Sequence, residues 1–573
     1  VGTEAGRGPD LTTFCLCWCA WLRTSKDRTF LPPTVARGRD GGAWQTLDLP
    51  LDVPTRSYLL KPGTDALVRA AELAERVRKG RGSLDACLGE EAVTTRTVLD
   101  TVDRRLRTAG LDLVVDLTER PAVFVLDGGP GARPLRAVCS RQRRRYLAHD
   151  LPDGELATRL AGLLDVRALL PLVEIRRHEV PVTVLDTEAK TVVRLAVTDL
   201  WAVPAVPKGT SEPVRLRGRV AATGVLGYPR PFAQVDATLQ GSPDLAAATT
   251  SVVDEAVTAV GGAPGGLSSQ VQVDLDPSEP AGAASRRLLR GLADVVEANV
   301  PGTLDDLDSE FLHDLRVAIR RSRTVLREMK RVFDPEGRRE QADSLRWIQA
   351  VTGATRDLDV QVLEWDRLVA KVPEGRRAVL EPAHALLVEQ REAALRAMKA
   401  TLRSAEHRRR WTEWRLFLAV DAVGRVGPEA ERPVRKVVRR RVGALHAQMV
   451  RDGLAVTDES PADALHDLRK VGKELRCLLE LYGRVLGPAP TVKPLVSALK
   501  ALQDVLGEHQ DRDVQRDRIR ALAPELASRP GGPEALLALG SLLDRLEADQ
   551  AAARADFAER FAAFAQLDLR GIG

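Results

Sequence analysis

The sequence predicts an α+β multidomain protein: an N-terminal antiparallel β barrel or curved sheet, then an all-α half built from a duplicated four-helix unit. Three observations carry this. Apolar residues alternate with period two in a series of segments between 95 and 222, separated by turn residues. From 312 onward the chain repeats itself. LHDLRVAIRRSRTVLREMK at 312–330 returns as LHDLRKVGKELRCLLELYG at 465–483, and LRWIQAVTGATRDLDVQ at 345–361 returns as LKALQDVLGEHQDRDVQ at 499–515. The composition, 44% hydrophobic but only 4% aromatic, suits Ala- and Leu-rich helix bundles. At 573 residues the chain exceeds one core, and roughly two to four domains are expected.

Residues 1–50 read as a disordered extension. FCLCWCAWL at 14–22 is apolar but far shorter than the ~20 residues that span a bilayer. It also lacks the basic start and small-residue cleavage site of a signal peptide, so no membrane partner is expected. Cys15, Cys17 and Cys19 fit no zinc spacing. The six cysteines show no paired framework, which points to a reducing cytoplasm. Residues 52–240 form the β domain, with strands in TRTVLD, AVFVLD, LVEIRRHEVPVTVLD, TVVRLAVTDLWAV and EPVRLRGRVAA and helices at 64–79 and 153–164. Residues 241–282, rich in Ala, Gly, Ser and Pro, read as a linker, helical around 244–260 and otherwise flexible. Residues 283–573 hold two helical repeats, about 283–425 and 432–573. A duplication of this size implies two halves packed about a pseudo-twofold axis.

The repeated helix separates its residues by chemistry. At about 100° per residue, His313, Arg316, Arg320 and Arg323 fall within an arc of about 80°. Leu312, Leu315, Ala318, Ile319, Ser322, Val325, Leu326 and Met329 take the other side and must pack inward. The second copy repeats the basic face as His466, Arg469, Lys473 and Arg476, over Leu465, Leu468, Val471, Leu475, Leu478 and Leu479. A solvated face usually places Glu four residues from Lys or Arg. Here Arg316 has Arg320 at that spacing, Arg323 has Arg327 and Arg469 has Lys473; only Arg476 finds a carboxylate, Glu480. Each like-charge pair costs about 0.2–0.5 kcal/mol, a cost easier to understand if a polyanion rests on the stripe than if the face is merely solvated. Net charge is only +5, so the site must come from local clustering. The histidines lack further ligands at metal spacing, so they read as hydrogen-bond donors to an anion, helped by partial protonation below neutral pH.

The motifs LHDLRVAIRRSR, RDLDV, LHDLRK and DRDV resemble the conserved histidine α-helical domain (CHAD) family over about 283–573. That resemblance implies two pseudo-symmetric four-helix bundles with a basic central surface that binds inorganic polyphosphate and associates with polyphosphate granules and the proteins on them. Carried over, His313, Arg316, Arg320, Arg323, His466, Arg469, Lys473 and Arg476 are the polyphosphate-contacting set, with Arg346 and Lys500 added at equivalent positions of the second echo. Arg286, Arg287, Arg290 and the run Arg435–Arg441 would extend this surface. Asp357, Asp359, Asp511 and Asp513 are expected to orient arginines or cap helices rather than bind metal. No cofactor is implied. Nucleic acid is disfavoured, because few aromatic stacking platforms and no base-reading motif accompany the stripe.

Residues 52–240, through LDTVDRRLRTAGLDL, resemble the CYTH family of triphosphate tunnel metalloenzymes. Members line a β tunnel with Arg and Lys for the triphosphate and Glu for the metal. This chain departs from that pattern. Its first strand keeps only Lys61 of E-x-E-x-K, LDLVV follows Gly110, and Arg215, Arg217 and Arg219 stand where glutamates are usual. Phosphate chemistry with metal needs several converging carboxylates, so the expectation is a degenerate CYTH-like domain without catalysis. Lys61, Arg176, Arg194, Arg215, Arg217 and Arg219 then either make a basic lumen or face solvent. The competing readings are a metal-dependent triphosphatase and a general polyanion or nucleic-acid-binding protein.

Overall fold

The structure, a computed structural model, describes residues 53–63, 65–80, 83–128, 133–205, 212–269, 271, 273–419, 426–457 and 460–566, with backbone alone at 462, 489, 508–513, 546–556 and 558. The expected extension over 1–50, with its three cysteines, lies outside the described residues. Everything from Val53 onward forms one compact unit. Among the described residues no helix is long and apolar enough to cross a membrane.

The first part is an antiparallel sheet of eleven strands: β1 (Thr55–Leu60), β2 (Asp85–Leu88), β3 (Ala92–Asp100), β4 (Asp112–Asp116), β5 (Val123–Asp127), β6 (Leu135–Val138), β7 (Leu170–Leu185), β8 (Thr191–Pro204), β9 (Val214–Arg215), β10 (Arg219–Gly224) and β11 (Leu245–Ala247). Its main path runs β11-β1-β10-β8-β7-β3-β4-β5-β6, with β2 on β7 and β9 on β8. The barrel alternative is thereby corrected: the path ends at β11 and β6 and does not close. The reason lies in how its apolar faces are covered. Helices α1 (Ala66–Lys79) and α4 (Pro229–Gln240) bury Leu73 and Phe232 against Val180, Val182 and Leu195 at one end. Short α2 (Arg105–Thr108) and α3 (Glu155–Leu164) bury Leu106 and Leu160 against Leu113 and Phe124 at the other. Three separate apolar clusters lie along the sheet where a tunnel would have one interior.

Local chemistry sets these elements. The Asp65 side chain accepts the amides of Leu67 and Val68 at the start of α1, and Arg76, Arg78 and Lys79 sit in its last turn, where the helix dipole favours cations. In the turn after β3, Asp100 accepts the amides of Thr101, Leu106 and Arg107, while Gly110 takes the positive φ that returns the chain to β4.

The stretch 241–282 departs from the linker expectation. β11 pairs with β1, and α5 (Val252–Ala259) buries Ala256 and Val257 against Val173 and Leu200. Val271 and Val273 pack against the helical core. The apolar run in VVDEAVTAV supplies a face that composition alone, dominated by Gly and Pro nearby, obscured.

The helical part comprises α6 (Ala281–Asp305), α7 (Ser309–Glu328), α8 (Pro335–Val351), α9 (Gly353–Val369), α10 (Glu381–Leu402) and α11 (Ala405–Ala419). These are followed by α12 (Val434–Leu454), α13 (Ala462–Leu486), α14 (Ala489–Leu526) and α15 (Gly532–Ala565). α12 and α13 begin 153 residues after α6 and α7, matching the repeat offset. The 38-residue α14 corresponds to α8 and α9 together. The break falls at Thr352, whose hydroxyl donates back to Ile348 O at 2.9 Å; the counterpart, Leu506, has no hydroxyl to compete with the helix ladder.

The two halves meet as a pseudo-twofold requires. Pro280 bridges to Pro433, its own counterpart. Arg321 on α7 pairs with Glu480 on α13 at 2.5 Å, and Arg327 pairs with Glu474 at 2.5 Å. These contacts are mates under the repeat, with both arginines in the first half and both glutamates in the second, so the charges favour joining unlike halves. Buried Tyr482 donates to Ser285 Oγ at 2.9 Å across the same interface. One apolar core runs through both halves and contains the inward faces of α7 and α13. All the inward residues expected from the 3.6-residue period are buried, each large one contributing about 1.5–3 kcal/mol.

The sheet part grips the start of α7. Arg167, after α3, is buried between Asp308 and Asp314, donating to Asp308 Oδ1 at 3.3 Å and to Asp314. Asp308 also caps α7 by accepting the amides of Glu310 and Phe311, and it accepts the Ala168 amide at 3.0 Å. Burial opposes the Arg167 charge, but Asp308, Asp314 and Asp103 outweigh it and raise its pKa.

Candidate polyanion site

On α7 the expected stripe is present. His313, Arg316 and Arg323 are half-buried and Arg320 keeps surface in solvent. Arg316 Nη1 donates to Gln349 O at 2.7 Å and to Thr352 Oγ1 at 2.9 Å, while Arg323 Nη1 reaches Gln349 Oε1 at 3.4 Å. Gln349 on α8 thus holds two stripe arginines with two of its oxygens. A Cβ at Gly353 would lie 3.8 Å from Arg316 Nη1, and at the equivalent Gly507 one would lie 3.1 Å from Arg469 Nη2. In both halves a guanidinium passes close to this glycine. Gln503, the counterpart of Gln349, is likewise buried. Gln349, Gln503, Gly353 and Gly507 were not anticipated, although their recurrence at one offset in both echoes was legible.

The cations crowd one another. Burial lowers the pKa of Arg323, and Arg346 and Arg327 lower it further. Burial among protein atoms also lowers Arg320, followed by the charges of Arg316, Arg321 and Arg476. The stripes of the two halves therefore approach where Arg320 is within electrostatic reach of Arg476. Arg316 is lowered by burial and by Arg356, a cation on α9 that the motif reading did not single out, with Asp357 opposing. On α13, His466 and Arg469 are half-buried and Lys473 is exposed. His466 Nδ1 is buried without a hydrogen-bond partner among the described residues. Arg476 meets Glu480 at 3.3 Å, as its i,i+4 spacing suggested. Arg346 and Lys500 are exposed, and Arg346 pairs with Asp343.

The protonation expected of His313 needs correction. Burial, then Arg356, Arg320, Arg167 and Arg316, push its pKa down from 6.5 to about 4. In the anion-free protein the imidazole is neutral at physiological pH. The unfolded chain binds that proton near 6.5, so this group's contribution to stability falls as pH drops from about 6.5 to 4. A bound polyanion would reverse the repulsion and raise the pKa, so binding takes up a proton. Affinity for long-chain polyphosphate should therefore rise from pH 7 to pH 5, and His313→Gln should flatten that rise. An NMR titration in which the His313 ring shows the same midpoint with and without polyphosphate would refute this.

The other candidates make internal contacts. Asp359 accepts Arg391 Nε at 2.7 Å and Asp357 lies 3.3 Å from Arg518 of the other half, in keeping with an orienting role. The side chains of Asp511 and Asp513 lie outside the described residues. Arg287 pairs with Glu279, Arg290 donates to Leu418 O, Arg440 pairs with Glu429 and Arg441 with Glu328. Among the described residues Glu310, His313 and Asp314 could converge on a cation, but Asp314 faces Arg167 and Glu310 lies 3.5 Å from Arg356, so cationic side chains already fill that role. On the sheet, Arg215 pairs with Asp199, Arg219 with Glu255 and Arg176 with Glu174, while Lys61 and Arg194 are exposed. Arg217 Nη2 reaches Leu60 O at 3.5 Å, and with the sheet open the six candidates do not line a lumen.

Residues 287–520 match the family model of the CHAD domain. Among solved structures, the chain is similar to the CHAD domain from the plant Ricinus communis, at 24% identity and a TM-score of 0.45, over 53% of this chain and 98% of that one. It is also similar to PptA from Streptomyces chartreusis, at 16% identity and a TM-score of 0.38, over 49% of this chain and 99% of that one. No curated protein matches the chain. The family match stops short of the sheet and covers residues 287–520, which are similar to CHAD domains.

Proposed function

We propose that this protein binds inorganic polyphosphate on the basic surface formed by α7 and α13 and associates through it with polyphosphate granules, without catalysis. The observation that carries this reading is the crowding of Arg316, Arg320 and Arg323. Burial and neighbouring cations disfavour each of these charges. A surface that holds repelling cations together is stabilised when a polyanion supplies the missing countercharge. CHAD domains are associated with polyphosphate, and a flexible chain with about one charge per internal unit can follow two stripes that meet at Arg320 and Arg476. We read the sheet part as a CYTH-like remnant. Arg215, Arg219 and Arg176 are matched by Asp199, Glu255 and Glu174 rather than left for a triphosphate.

The test is a competition at matched charge between long-chain polyphosphate, single-stranded RNA and duplex DNA at two salt concentrations, with phosphate release from tripolyphosphate followed in Mg²⁺ or Mn²⁺. Polyphosphate should bind most tightly and no phosphate should appear. Tighter binding of RNA or DNA would replace this reading with a general nucleic-acid function. Metal-dependent release of phosphate that vanished on Lys61→Ala would make the sheet part a triphosphatase.

A further inference from the structure

Past Arg323 the basic face of α7 continues through Arg327, Lys330 and Arg331 into an open cavity of about 930 Å³ between α7, α12 and α13. Seven Lys and Arg line it against five Asp and Glu. Their pairing is uneven. Arg331, Arg432 and Arg440 all converge on the single buried carboxylate of Glu429, yet each is more than half exposed, at 61%, 59% and 55%. One negative charge cannot neutralise three guanidinium groups, so excess positive charge faces the cavity. Arg327 and Arg441 similarly share Glu328 at 2.9 and 2.5 Å. Lys330 is exposed and makes no ion pair among the described residues. Glu474, beside Glu328, is raised to about 7 by burial despite Arg327, which trims the negative side further.

The duplicated half shows that this charge is not simply inherited. A cavity of about 480 Å³ occupies the equivalent place on α13. There Glu480 replaces Arg327, Gly483 replaces Lys330, and Val271 and Val273 occupy the wall. One mate has become partly apolar; the other is basic.

We propose that the open cavity is a second anion site, separate from the stripe, for a compact and highly charged phosphate compound of about tripolyphosphate size. Arginine forks pointing at one space suit phosphate oxygens in bidentate geometry. The lining contains no aromatic residue on which a nucleobase could stack, so a base-free phosphate is favoured over a nucleotide.

The probe is tripolyphosphate, titrated by calorimetry into the full chain at low salt, with long-chain polyphosphate binding measured alongside. Lys330→Glu with Arg440→Gln should weaken tripolyphosphate at least tenfold and leave helical content unchanged. Glu429 keeps two arginines in that variant. The combined Arg316→Glu, Arg320→Glu, Arg323→Glu variant should change tripolyphosphate affinity less than threefold while losing long-chain polyphosphate. Should the double variant misfold, Lys330→Glu alone must still weaken tripolyphosphate about threefold. No tripolyphosphate binding to the wild type overturns the proposal, as does binding lost in the stripe variant and kept in the cavity variant. ATP binding more tightly than tripolyphosphate would overturn the base-free assignment. Failure of the stripe reading would appear instead as long-chain polyphosphate binding that survives the stripe variant.

Discussion

Changing Arg316, Arg320 and Arg323 together to Glu should cost several kcal/mol of long-chain polyphosphate binding, since attraction at three points becomes repulsion. The salt dependence gives a second readout. Each phosphate contact contributes about 0.7 to the log–log salt slope for a single-stranded polyanion, so losing three should flatten it by about 2. Arg469, Lys473 and Arg476 changed to Glu should produce a similar loss, because Arg320 and Arg476 lie where the two stripes meet. Both variants should keep near-native helical content, with one qualification set by the structure. Arg316 also ties α7 to the α8–α9 joint through Gln349 and Thr352, so its replacement should lower the thermal midpoint modestly. A loss with one triple and none with the other would confine the site to one half. No loss with either would leave the stripes as solvated faces.

The largest stability effect is expected at Arg167, which no motif singles out. Its side chain is 5% exposed, and those of Asp308 and Asp314 are 1% and 11% exposed. Arg167→Met would leave two buried carboxylates without their cation, a change of about 3–5 kcal/mol. Chemical denaturation should show that loss. Hydrogen exchange should place it at the amides of Glu310 and Phe311, which Asp308 caps. Adding Asp308→Asn and Asp314→Asn to Arg167→Met should recover part of the stability by removing the stranded charges. Unchanged exchange at the start of α7 in Arg167→Met would show that the sheet part does not hold that helix in place. Because His313 lies one turn beyond the cap, the variant should also loosen polyphosphate binding, by a smaller factor than the stripe triples.

How much of this was legible before the fold depended on the range of the interaction. The inward faces of α7 and α13 followed from a 3.6-residue period, and Leu312 to Met329 are buried as that period required. The Arg476–Glu480 pair followed from an i,i+4 spacing. The helices at 66–79 and 155–164 and the long strands β7 and β8 were likewise visible from periodicity and turn residues. A helix around 244–260 was expected in the 241–282 stretch and α5 lies within it, but its apolar face finds β7 and β8 only in three dimensions.

The sequence by itself determined the duplication, the two faces of the repeated helix and the excess of like charge on one of them. All three are set by residue order and helical geometry over a few turns. The tertiary structure alone decided whether the sheet closes, which arginines are matched by Asp199 or Glu255, that three arginines share Glu429, and that the His313 pKa is pushed down to about 4. It also decided that Arg167 from the sheet part clamps the start of α7 and that Arg320 comes within electrostatic reach of Arg476. Those outcomes depend on burial and on charges whose separation along the chain ranges from 11 residues for Arg440 and Glu429 to 141 for Arg167 and Asp308, and Coulomb energy and desolvation act on distance in space, which sequence separation does not encode.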